Sequence, residues 1–329
     1  MTGAWVAERR DTPMGARGGF GVCFGTFGEL LQGALAGPDE DFLVTLPIAR
    51  WSTARITLTP EGNGLVVEPA TKLKARGVAT SMLADAGVAP HGRLVLAGDL
   101  PEGKGMASSS ADVVATVRAV ADALGIAVPP RRIEDHLRGV EPTDGLMYRD
   151  VVAFYHRRVE LHGVLGPVPA LTVVGIDEGG QVDTVRFNAA LPPITPARRR
   201  EYRLLLDRLA TALPAGDLTT IGQVATRSAL LNQDRCPKTH LAEALRICGD
   251  LEALGVTVAH SGTLVGILVS GDDPHHAAKV TEVVAACREI SPAVTVDHTL
   301  RFPSVPRLAE AAAVVDDGRA HAEQEMSPR

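Results

Sequence analysis

Aromatic residues and cysteines are scarce in this 329-residue chain, and both shortages narrow its function. Phe, Trp and Tyr together make up 4% of the residues and the formal net charge is −6, so the chain is a poor candidate for binding nucleic acid. No two cysteines have the C-x-x-C spacing of a zinc site. We therefore expect reduced, buried thiols rather than disulfides or a metal cluster, at Cys23, Cys236, Cys248 and Cys287.

Long apolar runs are also missing. No stretch reaches the ~20 apolar residues that span a bilayer, and the first residues include Glu8, Arg9, Arg10 and Asp11, where a signal peptide would be apolar. We expect a cytoplasmic protein. Hydrophobic residues at 45% and charged residues at 22% are typical of a globular chain, and the length favours two domains.

The chain alternates short strands and helices without the regular spacing of βαβ units, which favours an α+β architecture. A proline-rich break follows Asn188. The predicted divisions are a flexible N-terminus over 1–18, an N-terminal domain over 19–188, a C-terminal domain over 189–304 and a frayed tail over 305–329. Strands are predicted at Phe20–Phe24, Phe42–Leu46, Thr53–Leu58, Leu65–Val67, Leu94–Ala97, Asp150–Phe154, Leu171–Ile176, Val182–Phe187, Val256–Ala259, Leu264–Val269 and Ala293–Leu300. Helices are predicted at Lys72–Ala86, Ser109–Leu124, Arg131–Arg138, Ala197–Leu213, Leu218–Asn232, Leu241–Leu254 and Pro274–Ile290.

The segment Leu94–Val117 carries the strongest functional signal. An apolar strand leads into a turn rich in glycine and serine, and a helix begins at about Ser109. Gly103 and Gly105 let the backbone approach a ligand, while the unpaired N–H groups and the dipole of the helix start favour an anion. The pattern fits a polyphosphate site, and it equally fits an ordinary strand-to-helix turn with a serine N-cap.

Two phosphate-binding patterns compete for this loop. Residues 98–105, GDLPEGKG, nearly match the P-loop pattern, but Gly105 stands where that loop requires a serine or threonine. The other pattern runs from Pro101 to Ala111 and accounts for the whole loop. It resembles the ATP-phosphate motif of the GHMP kinases, a family that includes galactokinase, homoserine kinase and mevalonate kinase. The resemblance implies ATP contacts from Pro101, Gly103, Lys104, Gly105, Met106, Ala107, Ser108, Ser109 and Ser110.

Asp144 is the candidate catalytic residue. It lies in the turn Glu141–Gly145, where an aspartate is ordinarily a turn former that bonds its own backbone. The resemblance implies instead that Asp144 orients or deprotonates the hydroxyl that attacks ATP. It also implies a Mg²⁺ site formed by Ser109 and a glutamate on the helix before the turn, Glu134. Glu141, inside the turn, is the alternative to Glu134.

Two further motifs narrow the resemblance. Residues 25–33, GTFGELLQG, look like the Gly-Glu-Leu-(Ile/Leu)-Gln-Gly signature of the L-threonine kinases of cobalamin side-chain synthesis. Residues 259–263, AHSGT, stand where GHMP enzymes have a glycine-rich third motif that closes on the substrate. The motifs occur in family order between Gly21 and Leu300. They imply acceptor contacts from Thr26, Glu29, His260, Ser261 and Gly262.

Two of these residues keep a second interpretation. Glu29 either pairs with a substrate ammonium or bonds locally, and His260 either lines a pocket or is a buried structural residue. The chain also departs from the family at Phe27, a bulky residue beside the presumed acceptor site, and it has no lysine in the first motif. Lys104 or an arginine then replaces that lysine, or the catalytic aspartate acts without one. The scattered histidines, His156 among them, are predicted to have surface or core roles.

The resemblance implies a two-domain GHMP kinase fold of the α+β class, with an N-terminal α/β sandwich of the ribosomal-protein type and a C-terminal ferredoxin-like domain. The implied reaction is the phosphorylation of the L-threonine hydroxyl by ATP with Mg²⁺, and another hydroxy-amino acid or an amino alcohol is the alternative acceptor. A GHMP-fold decarboxylase would need a basic cluster at the substrate motifs, and a ligand sensor would lack Asp144 or the serines; the sequence meets neither condition. No nucleic acid or membrane partner is expected, and a homodimer stays open.

Overall fold

The described strands form one ten-stranded sheet within residues 17–37, 40–180 and 194–301, the part of the chain that this computed structural model describes. The strands are β1 (Arg17–Ala34), β2 (Asp41–Leu58), β3 (Leu65–Glu68), β4 (Gly92–Gly98), β5 (Val151–Tyr155), β6 (Glu160–Gly166), β7 (Leu171–Asp177), β8 (Gly255–Val258), β9 (Leu264–Ser270) and β10 (Val294–His298). The described helices are α1 (Leu73–Asp85), α2 (Ser108–Leu124), α3 (Pro130–Leu137), α4 (Pro196–Ala215), α5 (Leu218–Asn232), α6 (Leu241–Asp250) and α7 (His276–Arg288). The strand order is β10-β7-β9-β8-β1-β2-β4-β3, and β5 pairs with both β2 and β6.

The two central strands, β1 and β2, are each 18 residues long, although the sequence predicts only pieces of them. Their antiparallel pairing shifts register on both sides of Glu29. Such bulges turn side chains out of the regular strand alternation, so the pattern of residues 25–33 does not predict a strand. Gly28 has a φ of 55°, which favours glycine, and Glu29 pairs with Val258 of β8. The first motif therefore lies where the two halves of the sheet meet.

Helix α2 packs closely on β1. A Cβ on Gly21 would lie 2.0 Å from the Ala115 carbonyl oxygen, so the strand can approach the helix only without a side chain there. The helix begins at Ser108, one residue before the predicted start, and the preceding Ala107 is left-handed with a φ of 56°. The serines of the loop thus form the first turn of α2, whose N–H groups have no acceptor within the helix.

The two halves of the sheet have separate cores, joined by a third cluster in the middle. In the first half, α1, α2 and α3 pack on β1, β2, β3 and β4, and in the second half α6 and α7 pack on β7, β8 and β9. Between them, α4 and α5 cover buried side chains of β1 and β2. β7, which falls inside the predicted N-terminal domain, pairs with β9 and β10 of the second half. Its sequence position does not reveal this pairing, because α4, α5 and α6 separate β7 from β9 along the chain.

Other differences from the sequence predictions are local. β6 is not predicted, because most of its side chains are at least partly exposed and lack apolar alternation. Arg17 and Gly18 begin β1, although they fall inside the predicted flexible segment. The strand predicted at Val182–Phe187 and the predicted tail over 305–329 lie outside the described residues. Among the helices that are described, none is both long and apolar enough to cross a membrane.

Candidate active site

A cavity of about 480 Å³ lies beside the bulge at Glu29. Five parts of the chain line it: the start of α1, the loop before α2, the turn that holds Asp144, the first sequence motif and the third sequence motif. Backbone hydrogen bonds join these parts directly. The Thr26 N–H donates to the Met106 carbonyl oxygen (3.2 Å), and the Thr263 N–H donates to that of Lys104 (3.1 Å). The predicted motifs therefore meet at one site.

The loop before α2 forms one end of the cavity. Gly103 and Gly105 have φ values of 71° and 89°, which residues with side chains rarely adopt. Gly105 also packs against the third motif, where an added Cβ would come within 2.3 Å of the Ala259 Cβ. The predicted ATP contacts that line the cavity are Gly103, Gly105, Met106, Ala107, Ser108, Ser109 and Ser110.

Lys104 and Pro101 belong to the same predicted set, but they are not among the residues that line the cavity. The Lys104 ammonium pairs with Asp177 at the end of β7 (2.7 Å) and donates to the Gly180 carbonyl oxygen (2.8 Å). A P-loop lysine would reach towards the phosphates. Lys104 instead fastens the loop to β7, so the geometry does not support it as a nucleotide contact or as a substitute for the lysine missing from the first motif.

Asp144 faces the first turn of α2. The Ser110 hydroxyl donates to the Asp144 carboxylate (3.2 Å), and the Asp144 N–H donates to the same hydroxyl oxygen (3.3 Å). Burial raises the pKa of Asp144 to about 6; the Ser110 hydrogen bond opposes this rise and the Glu141 carboxylate adds to it. A carboxylate with a pKa near neutrality, set beside a cavity, is suited to accept a proton from a bound hydroxyl.

The structure separates the two candidate metal-binding glutamates. Glu134, the predicted ligand, is buried away from the cavity, where its carboxylate accepts a hydrogen bond from the Tyr148 hydroxyl (2.6 Å). Glu141 lines the cavity, and its Oε1 accepts a hydrogen bond from the Ser109 hydroxyl (2.7 Å). The geometry favours the alternative, Glu141, over Glu134 as a candidate ligand, because the Glu134 side chain bonds Tyr148 and the Ser109 hydroxyl bonds Glu141.

Two lysines at the start of α1 also line the cavity, and the sequence motifs give no sign of them. The Lys72 ammonium pairs with Asp112 (2.6 Å) and with Glu102, and these partners raise the pKa of Lys72 against the effect of burial. The Lys74 ammonium pairs with Glu141. Both cations thus flank the serine-rich loop, where they add positive potential to a site already favourable to anions.

Glu29 lines the part of the cavity formed by the first and third motifs, here called the acceptor end, where it is nearly inaccessible to solvent. Its carboxylate accepts a hydrogen bond from the His260 N–H (2.7 Å). Burial, with the nearby charge of Asp144, raises the pKa of Glu29 well above its usual value, and the His260 hydrogen bond and Lys238 only partly oppose this. Glu29 therefore bonds locally, as one of its two interpretations predicts, and it also lines the cavity; its pairing with a substrate ammonium stays a prediction.

His260 and His156 form the wall next to Glu29. The His260 ring bonds the Gln32 side chain (Nδ1 to Oε1, 2.8 Å), and the two imidazoles pack edge to face with centroids 5.2 Å apart. Burial lowers the pKa of both histidines, that of His156 to about 4, so both rings are neutral at physiological pH. His260 thus joins its two predicted roles, whereas the sequence gives His156 no role at the site.

The third motif contributes its residues unequally. Ser261 lines the cavity, but Gly262 packs under the loop, where a Cβ would lie 2.1 Å from the Lys104 carbonyl oxygen. Gly262 therefore supports the site and is not placed to contact an acceptor. The buried Lys238 ammonium donates to the Gly262 carbonyl oxygen and approaches the Cys236 sulfur (3.1 Å). No motif marks Lys238, because a helix-to-helix connection brings it to the site from a distant part of the chain.

Phe27, which departs from the family pattern, does not narrow the cavity. Its ring is fully buried against β7 and β9, where the glycines at 175 and 266 leave room for it. The bulge at Gly28 and Glu29 explains this arrangement. Because it interrupts the regular alternation of the strand, Phe27 lies in the core while Glu29 lines the cavity.

The comparisons with known families agree with this geometry. Residues 73–158 match the family described as GHMP kinases N terminal domain, and residues 209–289 match GHMP kinases C terminal. These matches span just over half of the chain. The chain belongs to the GHMP kinase family, whose members are small-molecule kinases, and the expected α+β GHMP kinase fold is confirmed.

Individual relatives are more distant. An L-threonine kinase from Salmonella typhimurium is 26% identical over 253 residues, which cover 75% of this chain and 81% of that protein. A homoserine kinase structure from Cytophaga hutchinsonii has a TM-score of 0.65 at 14% identity and covers 89% of this chain and 96% of its own. A mevalonate pyrophosphate decarboxylase structure from Streptococcus pyogenes has a TM-score of 0.68 at 10% identity and covers 90% of this chain and 100% of its own. The fold is shared by kinases and a decarboxylase, so the reaction has to be argued from the site.

Proposed function

We propose that the protein transfers the terminal phosphoryl group of ATP to the side-chain hydroxyl of L-threonine, giving O-phospho-L-threonine and ADP. The observation that carries the proposal is one cavity that joins a phosphate-type loop, the Asp144 carboxylate and the buried Glu29 carboxylate. The similarity to a curated L-threonine kinase over most of the chain supports the same acceptor.

The loop end of the cavity is suited to the ATP phosphates. The glycines at 103 and 105 let the backbone come close to a ligand. The first N–H groups of α2 lie at the positive end of the helix dipole, where they attract an anion. Lys72 and Lys74 add charge at the same end. Phosphoryl transfer depends mainly on positioning and charge stabilisation, and these are the functions that such groups supply.

The residues at this end also fit a magnesium ion. Mg²⁺ ordinarily takes one or two carboxylates and completes its shell with water and substrate phosphates. Ser109 and Glu141 present a hydroxyl and a carboxylate 2.7 Å apart on the cavity wall. The described ranges contain no group of three or more His, Cys, Asp or Glu that could hold a metal, so this pair would supply one carboxylate and leave most of the shell to water and phosphates. We assign Ser109 and Glu141 to the ion, which would neutralise charge on the phosphates when bound, and Lys74, which pairs with Glu141, would add positive charge beside it.

Asp144 lies between the two ends and is assigned as the general base. Its carboxylate accepts the proton of the acceptor hydroxyl as the oxygen attacks the phosphorus atom. The Ser110 hydrogen bond fixes the orientation of the carboxylate, while burial keeps its pKa close to the working pH. An aspartate at its ordinary pKa would be a weaker base for this step.

Glu29 is assigned to the acceptor ammonium. A carboxylate buried this deeply gains stability when a cation replaces the water it has lost. An ammonium beside Glu29 would also lie within the field of Asp144, because these two carboxylates act on one another. An amino acid held in this way presents its side-chain hydroxyl towards Asp144.

The alternatives make different demands on the same end of the cavity. A decarboxylase of a diphosphorylated acid needs cations where this chain has the buried Glu29 beside two neutral histidines. A ligand sensor has no use for the paired Ser110 and Asp144 geometry. Another hydroxy-amino acid or an amino alcohol fits the same carboxylates, and the acceptor screen separates these from L-threonine.

A coupled assay of ADP release tests the proposal directly. L-Threonine, L-serine, L-homoserine, amino alcohols and N-acetyl-L-threonine are compared as acceptors with ATP and Mg²⁺. We expect L-threonine to be preferred and the acetylated compound to fail, because a site built for a polar group rejects analogues that lack it by up to ~10⁴-fold. Efficient phosphorylation of N-acetyl-L-threonine would rule out the ammonium site at Glu29. If no acceptor in the set causes ADP release, the proposed function is rejected.

A further inference from the structure

Lys238 carries a buried positive charge that no step of the proposed reaction uses. The side chain is 3% exposed, and its ammonium donates to the Gly262 carbonyl oxygen and approaches the Cys236 sulfur (3.1 Å). Within the described ranges, no carboxylate lies at ion-pairing distance from this ammonium. Burying an ammonium without a paired carboxylate is costly, so we expect the charge to act on a nearby group.

The turn between α5 and α6 holds Lys238 in place. The Gln233 side-chain amide bonds both main-chain groups of Lys238: its Nε2 donates to the carbonyl oxygen (2.8 Å), and its Oε1 accepts from the N–H (2.9 Å). The N–H groups of Arg235 and Cys236 both donate to the Asn232 carbonyl oxygen (2.9 Å and 2.8 Å). These bonds fix the backbone around Lys238, so the fold itself directs the ammonium to the third motif.

Glu29 is the complementary buried charge. It is 5% exposed, and no described lysine or arginine forms an ion pair with it. Its carboxylate accepts a hydrogen bond from the His260 N–H (2.7 Å), and the Lys238 ammonium bonds the carbonyl oxygen of Gly262, two residues further along the same segment. Residues 260–262 thus lie between a carboxylate at their N–H end and an ammonium at their carbonyl end. Both contacts are charge-assisted and hold the segment firmly.

The two charges also act on each other. Burial raises the pKa of Glu29 and the Asp144 charge adds to the rise, whereas the His260 N–H and the Lys238 ammonium oppose it. The histidines of this wall supply no positive charge, because burial lowers the pKa of His260 and of its neighbour His156. Among the described groups that act on Glu29, the cation that favours its ionised form is therefore Lys238.

The ionisation of Glu29 matters because a neutral carboxyl attracts an ammonium only weakly. We propose that Lys238 is a positioning residue that holds the third motif and keeps Glu29 in the ionised form that binds the acceptor ammonium. This inference rests on the proposed function, because it explains how the acceptor end of that site stays charged. Lys238 does not line the cavity, so it acts through Gly262 and through its field.

The pH dependence of L-threonine binding tests the proposal. Calorimetry with a non-hydrolysable ATP analogue and Mg²⁺ gives the L-threonine dissociation constant of the unaltered protein and of Lys238→Gln, whose neutral amide can still donate to Gly262. Without the ammonium, Glu29 keeps its proton to a higher pH. We therefore expect the constant of Lys238→Gln to be about three- to tenfold higher at about pH 6. The difference should shrink as the pH rises, because Glu29 then ionises in both proteins.

Three further variants separate charge from packing. Lys238→Arg keeps the cation and should follow the pH dependence of the unaltered protein. In the Glu29→Gln background, adding Lys238→Gln should leave the pH dependence unchanged, although Asp144 still titrates there. Lys279→Gln changes a lysine of α7 that pairs with Asp273 (3.0 Å) outside the cavity, and it should bind L-threonine as the unaltered protein does. The affinity for the ATP analogue reports whether each variant is folded.

The outcomes are distinct for the two proposals. A Lys238→Gln defect of equal size at every pH would show that Lys238 only supports the third motif, and would overturn the inference while leaving the kinase proposal intact. The same pH-dependent defect in the Glu29→Gln background, or no defect at any pH, would overturn it as well. If the unaltered protein binds no L-threonine and releases no ADP with it, the proposed function fails and the inference fails with it.

Discussion

The two ends of the cavity are assembled in different ways. At the loop end, the ligand-facing groups follow one another along a short segment, and their geometry is set by left-handed residues at 103, 105 and 107. At the acceptor end, Glu29 and His260 are 231 residues apart in sequence and meet only through the pairing of β1 with β8. In the proposed reaction the loop end binds ATP, the substrate that kinases have in common, and the acceptor end, built from distant segments, determines which acceptor is chosen.

The ends also differ in charge. The loop end combines helix N–H groups with Lys72 and Lys74, which favours anions. The acceptor end holds the buried Glu29 carboxylate, whose pKa is raised because it has lost its water, and a cation beside it would replace that lost solvation. Asp144 lies where these two fields meet, so the variants expected to have the largest effects are those that change this residue.

Asp144→Asn should abolish most turnover while the loop end keeps its ligand. A positioned general base contributes about 10²- to 10⁴-fold, and Asn cannot accept the proton. We expect kcat to fall by this factor, with the affinity for ATP little changed. Steady-state kinetics and calorimetry check the two parts. A variant that keeps more than half of its kcat would remove Asp144 from the mechanism.

Glu141→Gln and Glu134→Gln form a matched pair that tests the metal assignment at the loop end. Loss of a group that supports a metal costs about 10- to 100-fold in metal affinity, so Glu141→Gln should raise the Mg²⁺ concentration for half-maximal activity at least about tenfold. Glu134→Gln keeps an oxygen acceptor for Tyr148 and should leave the Mg²⁺ dependence unchanged. Titration of activity with Mg²⁺ measures both. A larger defect in Glu134→Gln would restore the ligand predicted from the sequence.

The pH profile tests the buried state of Asp144. The base works only when ionised, and burial raises its pKa to about 6. Below that pH the carboxyl is protonated, so kcat/KM should fall about tenfold per pH unit, and above it kcat/KM should level off. Because Asp144 and Glu29 interact, the midpoint belongs to the pair. In Glu29→Gln, kcat/KM should still fall at low pH, because Asp144 is still present. If kcat/KM of the unaltered protein falls only around pH 4, near the ordinary pKa of an aspartate, the burial argument is contradicted.

Lys104→Gln should have the smallest effect. Lys104 pairs with Asp177, and part-exposed ion pairs contribute at most about 1 kcal/mol. We expect the KM for ATP to change by less than about threefold, and Asp177→Asn, which breaks the same pair from the other side, to change it equally little. A loss of ATP affinity in Lys104→Gln that Asp177→Asn does not share would mean that the lysine turns to the phosphates.

The difference between the two ends also explains which parts of the site can be predicted from the sequence. The serine-rich loop and the Asp144 turn are predictable because their chemistry is encoded by neighbouring residues. The family resemblance favours Glu134 over Glu141 because it implies a glutamate on the helix before the turn, and only the contact with Tyr148 shows where that side chain points. His156 reaches the site by tertiary contacts after β5, a strand whose pattern indicates burial and not function.

Lys238 and Phe27 show two ways in which the sequence misjudges the site: it misses a residue that supports the site, and it places in the site a residue that belongs to the core. The ammonium of Lys238 joins the third motif through a carbonyl oxygen, a contact with no local signature. Phe27 lies inside a motif and suggested an obstructed acceptor site, but the irregular register of β1 turns it into the core. Residues next to a bulge cannot be assigned to a face by counting along the strand.

A ternary complex with a non-hydrolysable ATP analogue and L-threonine tests the division of the cavity most directly. We predict that the phosphates lie over residues 103–110 at the start of α2, that the threonine hydroxyl faces Asp144, and that its ammonium contacts Glu29. A nucleotide whose phosphates lie away from this loop, or an L-threonine whose hydroxyl points away from Asp144, would contradict the account.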